Sequence, residues 1–228
     1  MKKILLFFFS HRTLALLRWD LYFSRVRLAN YILLRRRLLD KKIIENKGIK
    51  YLNLGSGPRG LVDDKWVNID GFKDKNVHYL CDFNKHLPFE DATFDGIFCE
   101  HVVEHFDYIH GKSLLSECFR ILKKGGALRI IVPDGEKILK SYFENPVFIV
   151  QYKDSRSGLP MEAVNTWFYQ RYEHQCIYDA AYLSFLLNEI GFSGCRKTAY
   201  NETNYQGIDI VIDDEKYSWE SLYVEALK

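Results

Sequence analysis

The segment at residues 51–60, YLNLGSGPRG, constrains the fold of this chain more than any other. A short apolar run ends there in the pattern Gly55-x-Gly57-x-x-Gly60. Glycines at these positions let the backbone turn sharply and approach a ligand without a Cβ in the way. The next apolar run, WVNID, closes with Asp70, and an acid in that place suits the two hydroxyls of a ribose. Together the two runs predict a site for a nucleoside-containing cofactor.

From residue 50 onward, short apolar segments alternate with polar turns. Five of them predict strands, at residues 51–54, 66–69, 77–81, 94–99 and 128–132. Apolar periodicity predicts helices at 111–124 and 179–190, and two further strand candidates lie at 195–200 and 221–226. Alternating strands and helices form a parallel sheet with helices on both faces, so we predict an α/β fold.

The interval between the glycine turn and the acid is short. Only residues 61–69 separate Gly60 from Asp70, whereas a dinucleotide-binding fold places a full crossover helix there. The first helix is therefore predicted to be very short or absent, which leaves a poor helix dipole for a pyrophosphate. A cofactor without phosphates loses little by this, so the spacing disfavours a dinucleotide.

The N-terminal part of the chain is basic and the rest is acidic. Residues 1–42 hold eleven Lys and Arg against two Asp, and the remainder holds 21 basic and 28 acidic residues. Residues 12–39 have the apolar spacing of one amphipathic helix. We therefore divide the chain into a basic helical arm at 1–48 and a domain at 49–228. The arm either lies on an anionic membrane surface, through residues 1–42, or packs on the domain.

The composition favours a cytoplasmic protein, and the inner face of the membrane is then the surface that the arm would meet. The five cysteines form no CxxC pair, and several lie in apolar runs, which is typical of reduced thiols. No N-terminal apolar run approaches the roughly 20 residues that span a bilayer.

Four motifs in a fixed order give the chain a specific resemblance. LNLGSGPRG, WVNID, LCDFNKHLPFEDATFDGIFCEHVVEHF and LSECFRILKKGGALRIIVPD follow one another across residues 50–134. In this order they resemble the Rossmann-like, class I S-adenosylmethionine-dependent methyltransferases, nearest to the branch found beside glycan and lipopolysaccharide biosynthesis enzymes. The resemblance implies a mostly parallel seven-stranded sheet, S-adenosylmethionine as the cofactor, and methyl transfer as the reaction.

The resemblance also implies a set of cofactor contacts that follow the ends of the first four strands. They are Gly55, Ser56, Gly57, Asp70, Cys81, Asp82, Phe83, Glu100 and His101. The glycine turn would wrap the methionine part of the cofactor, Asp70 would accept from the ribose hydroxyls, and Asp82 from the adenine amino group. Glu100 and His101 would line the methionine end.

Three residues are candidates for a general base in the reaction: His174, His105 and Asp134. A histidine with a pKa of about 6.5 can take a proton from a hydroxyl at physiological pH. Residues 135–177 are aromatic and irregular, and we predict that they form a lid over the substrate. The expected acceptor is a hydroxyl of a saccharide, a glycolipid or another small molecule.

Other functions stay open at this point. The run His101-Val-Val-Glu104-His105 matches the HxxEH signature of inverted zinc peptidases. A scaffold that keeps the fold without catalysis would bind the cofactor weakly or not at all. A nucleic-acid methyltransferase would use the arm to grip phosphates, but the sequence lacks the Asn/Asp-Pro-Pro-Tyr motif of base methylation. Because a sulfonium already activates its methyl group, we expect no metal. Because the base-methylation motif is missing, we expect no nucleic-acid partner.

Overall fold

The computed structural model describes residues 10–45, 50–153, 155–170 and 173–228, so the first nine residues of the predicted arm lie outside the described part. The centre of the domain is a single seven-stranded sheet. Its strands are β1 (Tyr51–Leu54), β2 (Trp66–Asp70), β3 (Tyr79–Leu80), β4 (Phe94–Glu100), β5 (Leu122–Pro133), β6 (Ser193–Thr198) and β7 (Ser221–Leu227).

The strands lie in the order β3-β2-β1-β4-β5-β7-β6. The first five in this order run parallel, and β7 runs antiparallel to both β5 and β6. The chain moves outward from β1 to β3 and then returns to β4 on the other side of β1. Such a reversal opens a crevice beyond the carboxyl ends of the strands, where α/β folds bind ligands. The predicted Rossmann-like α/β fold, with its mostly parallel seven-stranded sheet, is confirmed.

The connection from β1 to β2 is as short as the sequence indicates. Gly57–Arg59 form a single 3₁₀ turn, and the described residues between 55 and 65 contain no α-helix. Pro58 lies within this turn, where its missing N–H costs no hydrogen bond. The shortened first helix is therefore reduced to one turn.

The helices of the described residues are α1 (His11–Ile32), α2 (Arg35–Glu45), α3 (Tyr108–Ile121), α4 (Gly135–Glu144), α5 (Pro146–Tyr152), α6 (Pro160–Tyr169) and α7 (Ala180–Ile190). α3 begins earlier than predicted because Asp107 caps it, accepting a hydrogen bond from the His110 N–H at 2.9 Å. It also ends earlier, since Leu122 already belongs to β5.

Among its described residues, the segment at 135–177, predicted to be irregular, contains three α-helices. Asn145 caps α5, and prolines occupy the first positions of α5 and α6, where a helix tolerates them. Ile138, Ile149 and Trp167 bury an apolar cluster of their own. The segment is therefore a small helical layer that follows β5, and its role as a lid stays a prediction.

The two faces of the sheet are covered differently. One face packs on α3 and α7, whose buried leucines join the main core. The other face is covered by residues 199–214, with Ile210 buried against Tyr51 and Trp66. Arg129 of β5 is fully buried beneath this segment and pairs with both Asp213 and Glu225.

The predicted single helix at 12–39 is two helices. α1 ends at Ile32, and Leu34 has a φ of +49° before α2 begins at Arg35. A positive φ lies outside the right-handed helical region, so the two helices cannot be continuous there.

α1 lies across the ends of β2 and β3. The Tyr22 hydroxyl donates to the Gly71 carbonyl oxygen at 3.1 Å, and Asn30 Nδ2 donates to the Leu80 carbonyl oxygen at 2.8 Å. The aromatic side chains that contact one another here are Trp19, Tyr22, Phe23 and Phe72. The arm therefore packs on the domain through its aromatic face.

The leucine stripe of α1 faces away from the domain. Leu17, Leu21, Leu28 and Ile32 recur at helical spacing, and their exposed fractions lie between 44% and 64%. Within the described residues, no helix has the combination of length and apolar character that crossing a bilayer requires.

Candidate active site

The predicted cofactor residues lie at one edge of the sheet. Residues 55–57 follow β1, Asp70 ends β2, residues 81–83 follow β3, and Glu100 ends β4. Neighbouring parallel strands bring them together because their carboxyl ends share that edge.

Asp70 and the glycine turn are joined directly. The Gly57 N–H donates to Asp70 Oδ2 at 2.8 Å, and the Phe72 N–H donates to Oδ1 at 2.7 Å. The carboxylate thus links the loops that follow β1 and β2. Each oxygen of a carboxylate has two lone pairs, so Asp70 retains capacity for hydroxyl donors from a ligand.

Two glycines give the turn its shape. Gly55 has a φ of +76° and Gly57 a φ of +50°, a region that is costly for residues with a Cβ. A Cβ on Gly55 would lie 2.1 Å from Val102 Cγ2, whereas one on Gly57 would meet nothing within 4 Å. The space in front of Gly57 is therefore open to a ligand.

The loop after β3 is held by α1. Arg27 forms an ion pair with Asp82, which also accepts from the Asn84 N–H at 3.1 Å. Burial, together with the neighbouring Asp82 charge, raises the pKa of the Cys81 thiol to about 12. The thiol therefore stays protonated and uncharged. Phe83, two residues further on, is partly buried and packs against the main core.

Glu100 uses both of its oxygens within the protein. Arg59, from the glycine turn, pairs with Oε2, and the Asp214 N–H donates to Oε1 at 3.1 Å. Arg59 also pairs with the Asp214 carboxylate at 3.2 Å. Glu100 therefore ties the loop before β7 to the glycine turn.

His101 leaves β4 with a left-handed backbone, at a φ of +52°. Its Nδ1 lies 2.9 Å from Glu104 Oε1, and its Nε2 lies 3.2 Å from Ser221 Oγ. The ring also meets Tyr217 edge to face, with ring centroids 4.8 Å apart. Both ring nitrogens are thus engaged, which fixes the orientation of His101.

Electrostatics keep the fully buried Glu104 charged. Burial alone raises the pKa of its carboxyl, but the hydrogen bond with His101 and the attraction of the His101, His105 and His174 imidazoles in their protonated form together lower the pKa below its ordinary value. Burial lowers the pKa of His101, and the bond to Glu104 with the nearby acids outweighs it, so the net pKa is raised.

The HxxEH run lacks the shape that the zinc-peptidase signature requires. Val103–His105 form a 3₁₀ turn, and His101 precedes it with a left-handed backbone. Because both nitrogens of His101 are engaged, His101 and His105 do not present a ligand pair on one helix face. The geometry disfavours the peptidase alternative.

The two histidines predicted as bases lie against each other, with ring centroids 4.9 Å apart. Nδ1 of His105 lies 3.1 Å from the Glu173 carbonyl oxygen, and Nδ1 of His174 lies 2.5 Å from the Trp167 carbonyl oxygen. Burial lowers the pKa of His174, so this imidazole is neutral at pH 7. Since its Nδ1–H is donated to a carbonyl, its Nε2 carries the lone pair.

The third candidate, Asp134, is used by the fold. It caps α4 by accepting from the Lys137 N–H at 3.0 Å, and its other oxygen pairs with Lys197 Nζ at 3.1 Å. It is buried, and it does not join the histidine pair. Its role as a base stays a prediction.

Three side chains at this edge were absent from the predicted site. Arg59 lies within the glycine motif and Glu104 within HxxEH, so local sequence signals for both existed. Arg27 is different, because its contact with Asp82 joins residues far apart in the chain and no local pattern marks it.

A comparison with protein families now bears on this geometry. Residues 64–130 match a family described as a methyltransferase domain, and this span runs from before β2 into β5. The matched part of the chain is therefore similar to a methyltransferase domain, and it lies within a Rossmann-like sheet. S-adenosylmethionine is the methyl donor of the class I methyltransferases that the sequence resembles.

The chain is also similar to individual proteins. It is 30% identical, over 137 residues, to an uncharacterised protein of Methanocaldococcus jannaschii. The match covers 51% of this chain and 60% of that protein, so the chain spans less than two thirds of its relative.

Two solved structures are similar over most of the chain. One is an S-adenosylmethionine-dependent methyltransferase from Archaeoglobus fulgidus, with 17% identity and a TM-score of 0.48. The other, from Thermotoga maritima, is described as a possible histamine N-methyltransferase, with 18% identity and a TM-score of 0.49. Each match covers 92% of this chain and 99% of the other.

The residues at this edge of the sheet fit S-adenosylmethionine. Ser56 Oγ is buried without a hydrogen-bond partner in the described part of the chain, so a polar group of a ligand would satisfy it. Gly57 faces open space, and Asp70 offers a carboxylate beside it. At the other end, an adenine would share or replace the ion pair that Arg27 makes with Asp82.

Proposed function

We propose that this protein transfers the methyl group of S-adenosylmethionine to a hydroxyl of a saccharide, a glycolipid or another small molecule. The observation that carries the proposal is the meeting of the glycine turn, Asp70 and Asp82 at the carboxyl edge of adjacent strands. A fold kept only as a scaffold would have no need of an open space at Gly57 or an unpartnered Ser56 Oγ.

The chain supplies binding and orientation in this proposal. The cofactor supplies a methyl group already activated by its sulfonium. Residues 55–57 and Asp70 hold the cofactor, with residues 81–83 at the adenine and Glu100 and His101 at the methionine end. Holding an acceptor in line with the reacting methyl contributes up to about 7–11 kcal/mol in good cases.

His174 is the best placed of the three candidate bases. It is 6% exposed, its pKa is lowered by burial, and its Nε2 has no hydrogen-bond partner among the described residues. A neutral imidazole of this kind accepts a proton from a hydroxyl, and such catalysis is typically worth about 10²–10⁴-fold. His105 is the alternative base, since it shares the same cluster.

The first test is calorimetric titration with S-adenosylhomocysteine. Wild type is expected to bind, and Asp70→Asn to bind far more weakly, because one carboxylate oxygen is replaced by an amide nitrogen, which donates and cannot accept. Asp74→Asn is the matched control, since Asp74 is exposed and only bonds the backbone beside it. Equal affinity in Asp70→Asn, with an unchanged melting temperature, would contradict the proposed site.

The acceptor needs a separate test, namely product analysis with labelled cofactor and cell-envelope glycan extracts. A glycan acceptor is favoured by Tyr169 of α6, which is exposed and free to stack on a sugar ring, whereas Trp167 is buried in the apolar cluster and offers no such surface. Label in glycan or glycolipid is the expected outcome. Label in protein or RNA, with none in glycan, would overturn the choice of acceptor.

For the arm, we propose peripheral binding to an anionic membrane on the cytoplasmic side. The support is the outward stripe that includes Leu21 and Leu28, in a helix rich in arginine. In sedimentation with phosphatidylserine vesicles, Leu21→Glu with Leu28→Glu is expected to reduce binding. Leu139→Glu, at an exposed leucine of α4, is the control. Unchanged sedimentation of the double variant would refute the membrane role.

A further inference from the structure

Three side chains that commonly bind metals meet at the turn after β4. Glu104, His105 and His174 each offer one ligand atom, and these atoms all lie within 4.8 Å of one another. Ligand atoms of a tetrahedral zinc ion lie roughly 3.4 Å apart when the bonds are about 2.1 Å. Small side-chain rotations would therefore close the cluster around one ion.

An unsatisfied buried oxygen belongs to this cluster. Glu104 is 0% exposed, its Oε1 lies 2.9 Å from His101 Nδ1, and its Oε2 has no hydrogen-bond partner. Leaving a buried polar group unpaired costs about 1–3 kcal/mol, and more for a charged group. A cation at Oε2 would remove that cost.

Both histidines are oriented as metal ligands usually are. A metal-bound histidine donates its other N–H to a carbonyl or carboxylate, which fixes the tautomer. Here Nδ1 of His105 lies 3.1 Å from the Glu173 carbonyl oxygen, and Nδ1 of His174 lies 2.5 Å from the Trp167 carbonyl oxygen. Nε2 of each ring is then the nitrogen with a free lone pair.

The two chain segments that bear these ligands are tied together. The N–H of Gln175 donates to the Glu104 carbonyl oxygen at 2.8 Å, and the Cys176 N–H reaches the same oxygen at 3.2 Å. The Gln175 side chain donates to the His105 carbonyl oxygen at 2.9 Å. The ligands therefore sit on backbone whose relative position is already fixed, as a metal site requires.

We propose that Glu104, His105 and His174 bind one divalent first-row transition-metal ion, with Zn²⁺ as the best match. Two imidazoles and one carboxylate are a ligand set that zinc uses in catalytic sites, where a fourth position stays open. His105 is only half-buried, so the open position faces toward solvent. This site departs from the expectation of no metal that the sequence gives.

The role of the ion rests on the proposed function. The open position would take the hydroxyl oxygen of the acceptor. Zn²⁺ lowers the pKa of bound water to about 7, and it would acidify a bound hydroxyl in the same sense, with the proton passing to solvent. His105 and His174 would then hold the ion, and the bound ion would take over the role that the proposed function gives to a histidine base, while methyl transfer from the cofactor is unchanged.

The test uses untagged, chelator-treated protein and calorimetric titration with Zn²⁺ alone. Wild type is expected to bind one ion, and Co²⁺ in its place to give the visible absorption of a four-coordinate site. Glu104→Gln and His105→Gln are each expected to weaken Zn²⁺ by more than about 100-fold. His110→Gln is the matched control, because His110 is exposed and pairs with Asp107 outside the cluster.

The outcomes separate this proposal from the proposed function. No Zn²⁺ binding by wild type, or binding that persists in both variants, overturns the metal site. Thermal melting identifies any variant that fails to fold, and the half-buried His105 makes His105→Gln the safer of the two. Titration with S-adenosylhomocysteine in the same samples decides cofactor binding independently, so either proposal can fail while the other stands.

Discussion

Gly57→Ala should separate cofactor binding from folding. A Cβ at Gly57 would meet nothing within 4 Å, so the folding penalty is confined to its φ of +50°. That conformation costs alanine roughly 1–2 kcal/mol. The added methyl group would instead occupy the open space beside Asp70. We expect S-adenosylhomocysteine to bind at least about tenfold more weakly, which corresponds to about 1.4 kcal/mol.

Two other glycines provide matched comparisons. Gly207 has a φ of +88° and nothing within 4 Å of an added Cβ, so Gly207→Ala also places alanine at a positive φ, outside the glycine turn. At Gly55 the added Cβ would lie 2.1 Å from Val102 Cγ2, so Gly55→Ala should lose clearly more stability than either. Urea denaturation measures the folding free energies, and calorimetric titration measures the affinities.

The reasoning predicts a definite pattern across the three variants. Gly57→Ala and Gly207→Ala should unfold alike, while only Gly57→Ala loses affinity. If Gly57→Ala binds S-adenosylhomocysteine as wild type does, the space in front of the turn is not the cofactor site. If both variants lose affinity equally, strain rather than contact explains the loss.

Three further variants test other contacts. Arg129→Met leaves two buried carboxylates without a counter-charge, so the unfolding free energy in urea should fall by about 3–5 kcal/mol; wild-type stability would contradict this. Arg27→Ala frees Asp82 from its ion pair, and a half-exposed pair of this kind is worth under about 1 kcal/mol. The affinity for S-adenosylhomocysteine, measured by calorimetry, should therefore rise by up to about fivefold. A weaker complex would show that Arg27 does not compete with the cofactor for Asp82. The hydrogen bond from Ser155, with further bonds from a neighbouring serine, lowers the pKa of Glu162 from 4.5 to about 2. The ionised Glu162 carboxylate therefore stabilises the folded protein fully above pH 4.5, and this stabilisation is lost as the pH falls toward 2. The melting difference between wild type and Glu162→Gln should shrink over that range, and a constant difference would refute the assignment.

The convergence of the candidate cofactor residues on one edge of the sheet could be predicted because each of them follows or ends a strand. Each of Gly55, Asp70 and Glu100 lies at the end of a short apolar run, and parallel strands place such ends together. The same reasoning fails for Arg27, since sequence spacing does not encode a contact between an N-terminal helix and the loop after β3.

The face of α1 was ambiguous for a physical reason. Both faces of the helix carry apolar side chains, leucines on one and Trp19, Tyr22 and Phe23 on the other, so periodicity alone does not decide which one packs. The aromatic face packs on the domain because Phe72 lies in the loop after β2 and offers it a partner.

The cluster after β4 shows a further limit of sequence spacing. Glu104 and His105 are adjacent in a recognisable motif, yet the third member, His174, comes from beyond α6. Its position depends on hydrogen bonds from Gln175 and Cys176 to Glu104, which link segments far apart in the chain. Such convergence is a property of the folded chain and not of any local pattern.

The position of α1 has a consequence for the proposed cofactor site. α1 contacts Gly71 and Asp82, and under the proposed function an adenosine would bind beside the same residues, so the helix and the nucleoside would compete for them. A surface that binds α1 and draws it off the domain would then change the affinity for the nucleoside. Because binding equilibria are reciprocal, the nucleoside would change the affinity for that surface by the same factor. Attachment of the helix to a surface and binding of the nucleoside would thus be coupled through one equilibrium.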